Sequence, residues 1–67
     1  MQGTVKWFDQ TKRFGFIVPG DGSQDVFVHF SAVDSDSVSK MTDGAKVEFE
    51  TTQGEKGPQA ANVRVVD

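Results

Sequence analysis

The sequence predicts an all-β fold in which five short strands close into an antiparallel barrel. Three observations carry this expectation. Short runs rich in β-branched and aromatic residues recur along the chain with turn formers between them. No stretch repeats apolar residues at i, i+3, i+4 and i+7 over the ten or so positions that a packed helix needs. A long connection follows the third of these runs, and together these features suggest a closed or nearly closed barrel, which removes exposed sheet edges.

The first strand covers residues 3–8, Gly3-Thr4-Val5-Lys6-Trp7-Phe8, and ends at the polar turn cluster Asp9-Gln10-Thr11. Strict alternation puts Trp7 on the side of Val5, and Phe8 on the side of Lys6. A surface that exposes both Lys6 and Trp7 therefore needs a β-bulge or a strong twist in this strand. The alternative is a Trp7 buried as an anchor of the core.

The second and third strands, residues 12–18 and 25–30, form a hairpin around Pro19-Gly20-Asp21-Gly22-Ser23. Phe14, Phe16 and Val18 share one side of the second strand, and Gly15 and Ile17 the other. In the third, Phe27 and His29 point one way while Val26, Val28 and Phe30 point the other. Both faces are largely apolar, although a small antiparallel sheet normally buries only one. With no helix to cover the surplus, the aromatic face is assigned to water. The aliphatic face, which matches the Val and Ile of the other strands, is assigned to the core.

Phenylalanines at period two most often belong to a core. Here that reading is outweighed by three rings and a histidine on one parity, a β-branched opposite face, and the neighbouring cations Lys6, Lys12 and Arg13. Rings interleaved with cations make a platform on which unpaired bases stack while phosphates meet ammonium and guanidinium groups. Asp25, opening the third strand, either accepts hydrogen bonds from base amino groups or closes its turn.

Residues 31–44 alternate Ser and Asp and predict a mobile loop with one helical turn near 31–33. Val38 and Met41 are its candidates to fold back onto the barrel as a plug. Asp43-Gly44 turns into a fourth strand, 45–51, where Ala45, Val47 and Phe49 alternate with Lys46, Glu48 and Glu50. That pattern describes a half-buried strand with a charged outer face. After the turn Gln53-Gly54-Glu55-Lys56-Gly57-Pro58, the last strand covers about 59–66. It places Ala61, Val63 and Val65 on one side and Ala60, Asn62, Arg64 and Val66 on the other. The long connection after the third strand makes an OB-type barrel the best match.

Composition narrows the function. Residues 1–67 predict one domain with no room for a second. There is no cysteine, so neither a disulfide framework nor a thiolate metal site is expected. No signal-like segment or long apolar run is present, and a cytoplasmic monomer with no membrane association and no cofactor is expected. The net charge of −3 argues against a binder driven by bulk attraction to polyanions. The distribution softens this, because Lys6, Lys12 and Arg13 lie by the rings, whereas Asp34, Asp36, Asp43, Glu48 and Glu50 come later. Catalysis is disfavoured: there is one histidine, no cysteine nucleophile, no Gly-rich phosphate loop, and His29, Ser31 and an acid are not placed as a catalytic set. The remaining rival is a protein-interaction barrel that uses the rings as its interface.

Four stretches, in order, resemble the motifs of the cold-shock domain family. Gly3-Thr4-Val5-Lys6-Trp7-Phe8 resembles its opening strand, Lys12-Arg13-Phe14-Gly15-Phe16-Ile17 its first ribonucleoprotein motif, Val26-Phe27-Val28-His29-Phe30 its second, and Gly57-Pro58-Gln59-Ala60-Ala61-Asn62-Val63 its closing segment. The resemblance runs nearly end to end. It implies a five-stranded OB-fold barrel that binds single-stranded DNA and RNA, acting as an RNA chaperone and as a regulator of transcription and translation in cold or stress adaptation. Carried over by position, it implies a ligand-contacting set of Lys6, Trp7, Lys12, Phe14, Phe16, Asp25, Phe27, His29 and Phe30, with Lys56 where many relatives have a basic residue. The stacking members are Trp7, Phe14, Phe16, Phe27, His29 and Phe30, so the resemblance moves Phe30 from the inward side to the platform. Three departures stand out. Arg13 occupies a position where the family usually has glycine, Val38 one where many members carry an aromatic, and residues 33–40 are unusually rich in Asp and Ser.

Overall fold

Alternating inward β-branched residues and outward polar or aromatic ones build a closed barrel in the computed structural model, which describes residues 1–54 and 57–66. The strands are β1 (Gln2–Asp9), β2 (Phe14–Pro19), β3 (Val26–His29), β4 (Lys46–Gly54) and β5 (Gly57–Val65), ordered β1-β2-β3-β5-β4 around the barrel. Four neighbouring pairs are antiparallel, but β3 and β5 run parallel, with Phe27 opposite Gln59. The expected all-antiparallel barrel is corrected to a mixed one. An odd number of strands cannot alternate direction all the way round a closed ring, so one pair must be parallel. A bridge between Val33 and Val63, and the Asp34 amide donating to the Val63 carbonyl at 2.7 Å, extend that seam.

The strand limits differ from the sequence expectation at the turns. Lys12 and Arg13 belong to the β1–β2 turn and not to β2, while Phe30 leaves β3 to open a 3-10 turn, Phe30–Ala32. β4 and β5 pair as far as Gly54 opposite Gly57, so Gln53, Gly54, Gly57 and Pro58, read from the sequence as turn residues, belong to the strands. Among the described residues no helix is long and apolar enough to cross a membrane.

The core contains Val5, Ile17, Val26, Val28, Val47, Phe49 and Val63, all nearly or fully buried. The faces of β2 and β3 fall as alternation requires: Gly15 and Ile17 inward with Val26 and Val28, and Phe14, Phe16, Phe27 and His29 half-buried on the outer side. Two bulges break the parity elsewhere. In β1 the register steps from Val5 opposite Ile17 to Trp7 opposite Phe16, so Lys6 is the extra residue. In β5 the register steps from Glu48 opposite Arg64 to Glu50 opposite Ala61, with Asn62 in the left-handed region at φ 52°. Ala60 and Val63 are consequently both buried, although alternation had set them on opposite faces.

The connection from β3 to β4 is better anchored than a mobile loop. It contains a second 3-10 turn, Val38–Lys40, and Met41, 1% exposed, is buried in the core cluster. Val38 packs half-buried against the same cluster. The buried Ser37 hydroxyl accepts a hydrogen bond from the Val65 amide at 3.0 Å, and the Gln10 amide side chain donates to the Val38 carbonyl at 2.9 Å.

Ile17→Ala should cost about 2–4 kcal/mol in urea unfolding, because Ile17 is fully buried and the truncation leaves a cavity. Val18→Ala, on the neighbouring exposed position, should stay within about 0.5 kcal/mol. A larger cost at Val18 than at Ile17 would mean that the faces are reversed.

Candidate nucleic-acid interface

The bulge at Lys6 sets Trp7 on the outer face together with the rings of β2 and β3. Trp7 meets Phe14 edge-on at a centroid distance of 5.6 Å and Phe16 at 5.4 Å. Phe14 stacks on Phe27 at 5.7 Å with planes 29° apart, and Phe16 meets Phe27 edge-on at 5.8 Å. Cross-strand pairing explains the contiguity, since Phe16 lies opposite Phe27 and Phe14 opposite His29. Every ring in this group remains half-exposed.

Gly15 makes the platform possible from beneath. A Cβ there would run into the Trp7 carbonyl and lie 2.7 Å from the Phe8 Cα, so only glycine lets β1 pass this close beside the bulge.

His29 and Phe30 continue the ring surface at 4.9 Å from each other. Strand parity had turned Phe30 inward. Because β3 ends at His29 and the chain enters a 3-10 turn, Phe30 is half-exposed beside the histidine. The Ser31 amide donates to His29 Nδ1 at 3.3 Å, and the Ser31 hydroxyl lies 2.8 Å from the same atom. The ring orientation is thereby held through Nδ1, and among the described residues Nε2 has no hydrogen-bond partner.

The cations are distributed unevenly. Lys6 Nζ forms an ion pair with Asp25 at 2.9 Å, both side chains well exposed at 54% and 38%. Asp25 thus offsets one of the platform charges, and it is Asp21 that accepts from the Ser23 amide and hydroxyl in the preceding turn. The Arg13 guanidinium lies over the Phe30 ring, 5.1 Å from its centroid. Lys12 is exposed in the adjacent turn. Lys56, the remaining expected contact, lies outside the described residues.

Asp9 shapes this turn. Its carboxylate accepts hydrogen bonds from the amides of Lys12, at 3.0 Å, and Thr11, at 2.9 Å. The Lys12 amide is the main cause that holds its carboxyl below the ordinary range, with the Thr11 amide and the Lys12 charge adding to it against a smaller desolvation cost. The turn delivers Arg13 with φ 66°, left-handed backbone that disfavours any residue but glycine. Its amide donates to the Asp9 carbonyl at 2.6 Å, and its carbonyl accepts from the Phe30 amide at 2.9 Å. Asp9, Gln10 and Ser31 thus position the site although the sequence did not single them out. The polar cluster Asp9-Gln10-Thr11 read as a turn, and its local Asx geometry was the available signal.

Two measurements probe this region. Arg13→Gly should be about 1 kcal/mol more stable than Arg13→Ala in urea unfolding, since both lack the guanidinium and only glycine is at ease at this φ; equal stabilities would mean the turn is built differently. Asp9, Asp21 and Glu48 all have lowered carboxyl pKa values, caused chiefly by the Lys12 amide, the Ser23 hydroxyl and the Arg64 guanidinium respectively. Their contribution is fully present above the unfolded carboxylate pKa of about 4 and is lost as pH falls through the depressed values. The urea midpoint should therefore drop on acidification below about pH 4, and Asp9→Asn should flatten that drop. An unchanged pH profile in the variant would remove Asp9 from the account.

A family model described as the 'Cold-shock' DNA-binding domain matches residues 1–66. The chain is 59% identical over 63 residues to the Cold shock-like protein CspE of Buchnera aphidicola subsp. Acyrthosiphon pisum, covering 94% of this chain and 91% of that protein. It is 52% identical over 66 residues to the Cold shock-like protein CspC of Escherichia coli strain K12, covering 98% and 96%. Among solved structures it is similar to "drosophila Unr CSD456", with a TM-score of 0.78 at 25% identity. That match covers 98% of this chain and 26% of the other.

Proposed function

The chain belongs to the cold-shock domain family, a family of nucleic-acid-binding domains, and on that premise we propose that it binds single-stranded RNA and DNA by stacking unpaired bases on the ring platform. The observation that carries this is the half-exposed group of Trp7, Phe14, Phe16, Phe27, His29 and Phe30 on one side of the barrel, flanked by Lys6, Lys12 and Arg13. Such a surface is costly to leave in water and suits ligands with flat π-faces.

The mechanism needs no bond making. Each base stacked on a ring contributes about 1–3 kcal/mol as judged by alanine substitution, non-additively, and every base offers a π-face. A duplex hides its bases, so the platform binds the open strand and shifts the pairing equilibrium toward it. That is sufficient for an RNA chaperone acting without ATP. It also suits a cytoplasmic regulator of transcription and translation in cold or stress adaptation, as expected of this family. Lys6, Lys12 and Lys56 meet phosphates, Arg13 contacts the ligand beside Phe30, and Asp25 receives base amino groups when Lys6 turns to the backbone. With three or four such contacts, log K should fall against log salt with a slope near −2 to −3, at about −0.7 per contact.

Titrating the intrinsic fluorescence of Trp7, the single tryptophan, with short oligothymidine tests the proposal. The single strand should quench it with that shallow salt slope, and a matched duplex should not. Phe14→Ala or Phe27→Ala should weaken binding at least several-fold while changing stability by less than about 1 kcal/mol. No quenching at low salt would sink the proposal and favour a protein partner for the rings.

A further inference from the structure

The Phe30 end of the platform is built differently from the rest. Trp7, Phe14, Phe16 and Phe27 meet one another as rings, whereas Phe30 carries a guanidinium above its ring, the Arg13 Cζ lying 5.1 Å from the centroid. The two residues are also joined through their backbones, since the Phe30 amide donates to the Arg13 carbonyl at 2.9 Å. The left-handed φ of 66° at Arg13 is held against its intrinsic cost by that bond and by the Arg13 amide on the Asp9 carbonyl. Among the described residues the ion pairs are Lys6 with Asp25 and Arg64 with Glu48. Arg13 is in neither, and its side chain is exposed, so its donors face a ligand without competition from a carboxylate.

We propose that Arg13 makes this end of the platform select guanine, an inference that rests on the single-strand binding proposed above. A guanidinium held over a ring presents a planar fork of donors. In an unpaired strand the base that arrives beside Phe30 has its edges free. Guanine offers two adjacent acceptors, O6 and N7, on its Hoogsteen edge that match the fork bidentately; adenine and cytosine place an amino donor on that side and thymine or uracil a single carbonyl, so cytosine can match the fork only by turning its Watson–Crick O2 and N3 toward it. His29, 4.9 Å from Phe30 and held through Nδ1 by Ser31, borders the same subsite and limits how the base can lie.

The test uses short oligothymidines that carry one guanine, moved a position at a time, titrated against Trp7 fluorescence at fixed salt. Wild type should bind one register about five- to tenfold more tightly than the all-thymine strand, and 7-deazaguanine at that position should abolish the gain. Arg13→Lys, which keeps the charge without the fork, and Arg13→Gly should both lose the preference, read as the ratio of affinities for the two strands. Uniform affinity across positions in wild type, or a preference that survives 7-deazaguanine or Arg13→Lys, overturns the proposal. So does an Arg13→Gly variant that binds every strand more tightly, because the guanidinium would then be a cover over Phe30. If wild type does not bind even the all-thymine strand, the single-strand proposal itself fails and this one falls with it.

Discussion

The extra residue in β1 is the constraint on which the rest of the structure depends. By inserting Lys6 against a single step of β2, the bulge lets Val5 and Phe8 both turn toward the core while Lys6 and Trp7 both turn outward. Unbroken alternation would drive an indole into a barrel already filled by valines, Ile17, Phe49 and Met41, where its volume and its N–H have no place. The bulge needs a partner strand that approaches closely, and Gly15 supplies it by having no Cβ to strike the Trp7 carbonyl. The aromatic platform is thus a consequence of backbone geometry at two positions as much as of the rings themselves.

Charge plays a smaller part than is usual for a polyanion binder. The chain is net acidic at −3, and one platform cation is already paired with Asp25 at an exposed site where such pairs contribute little to stability. Arg64 is likewise taken by Glu48 at 2.9 Å, away from the rings. What is left beside the platform is local: Lys12, and an Arg13 committed to the face of Phe30. Stacking supplies the main attraction in the proposed function, and the few cations act over distances comparable to the screening length. An acidic protein can work this way without a basic surface.

The β3–β4 connection shows how a polar segment is recruited into a small core. Its Asp and Ser residues favour turns over strands, but Met41 joins the buried core and Val38 packs against it. Ser37 and Gln10 tie the segment to β5 and to the β1–β2 turn. The turn that bears Arg13 is therefore braced by the connection on one side and by Phe30 on the other.

The sequence by itself determined the inner and outer faces of β2 and β3 and the alternation in β4, and it named a bulge or strong twist as the condition for an exposed Trp7 and Val38 and Met41 as the connection's candidates for the core. These follow from local periodicity: Ile17, Val26 and Val28 sit two apart or in register with partners of their own kind, so each strand specifies its own faces. The family resemblance placed Phe30 on the platform where parity did not. Only the tertiary structure decided that Lys6 is the bulged residue, that Asn62 re-aims Ala60 and Val63 inward together, that β5 runs parallel to β3, and that Arg13 rather than a glycine sits at φ 66° over Phe30. A bulge is a mismatch in count between two strands, and a parallel seam is a property of a closed ring, so neither is encoded in any one segment of the chain.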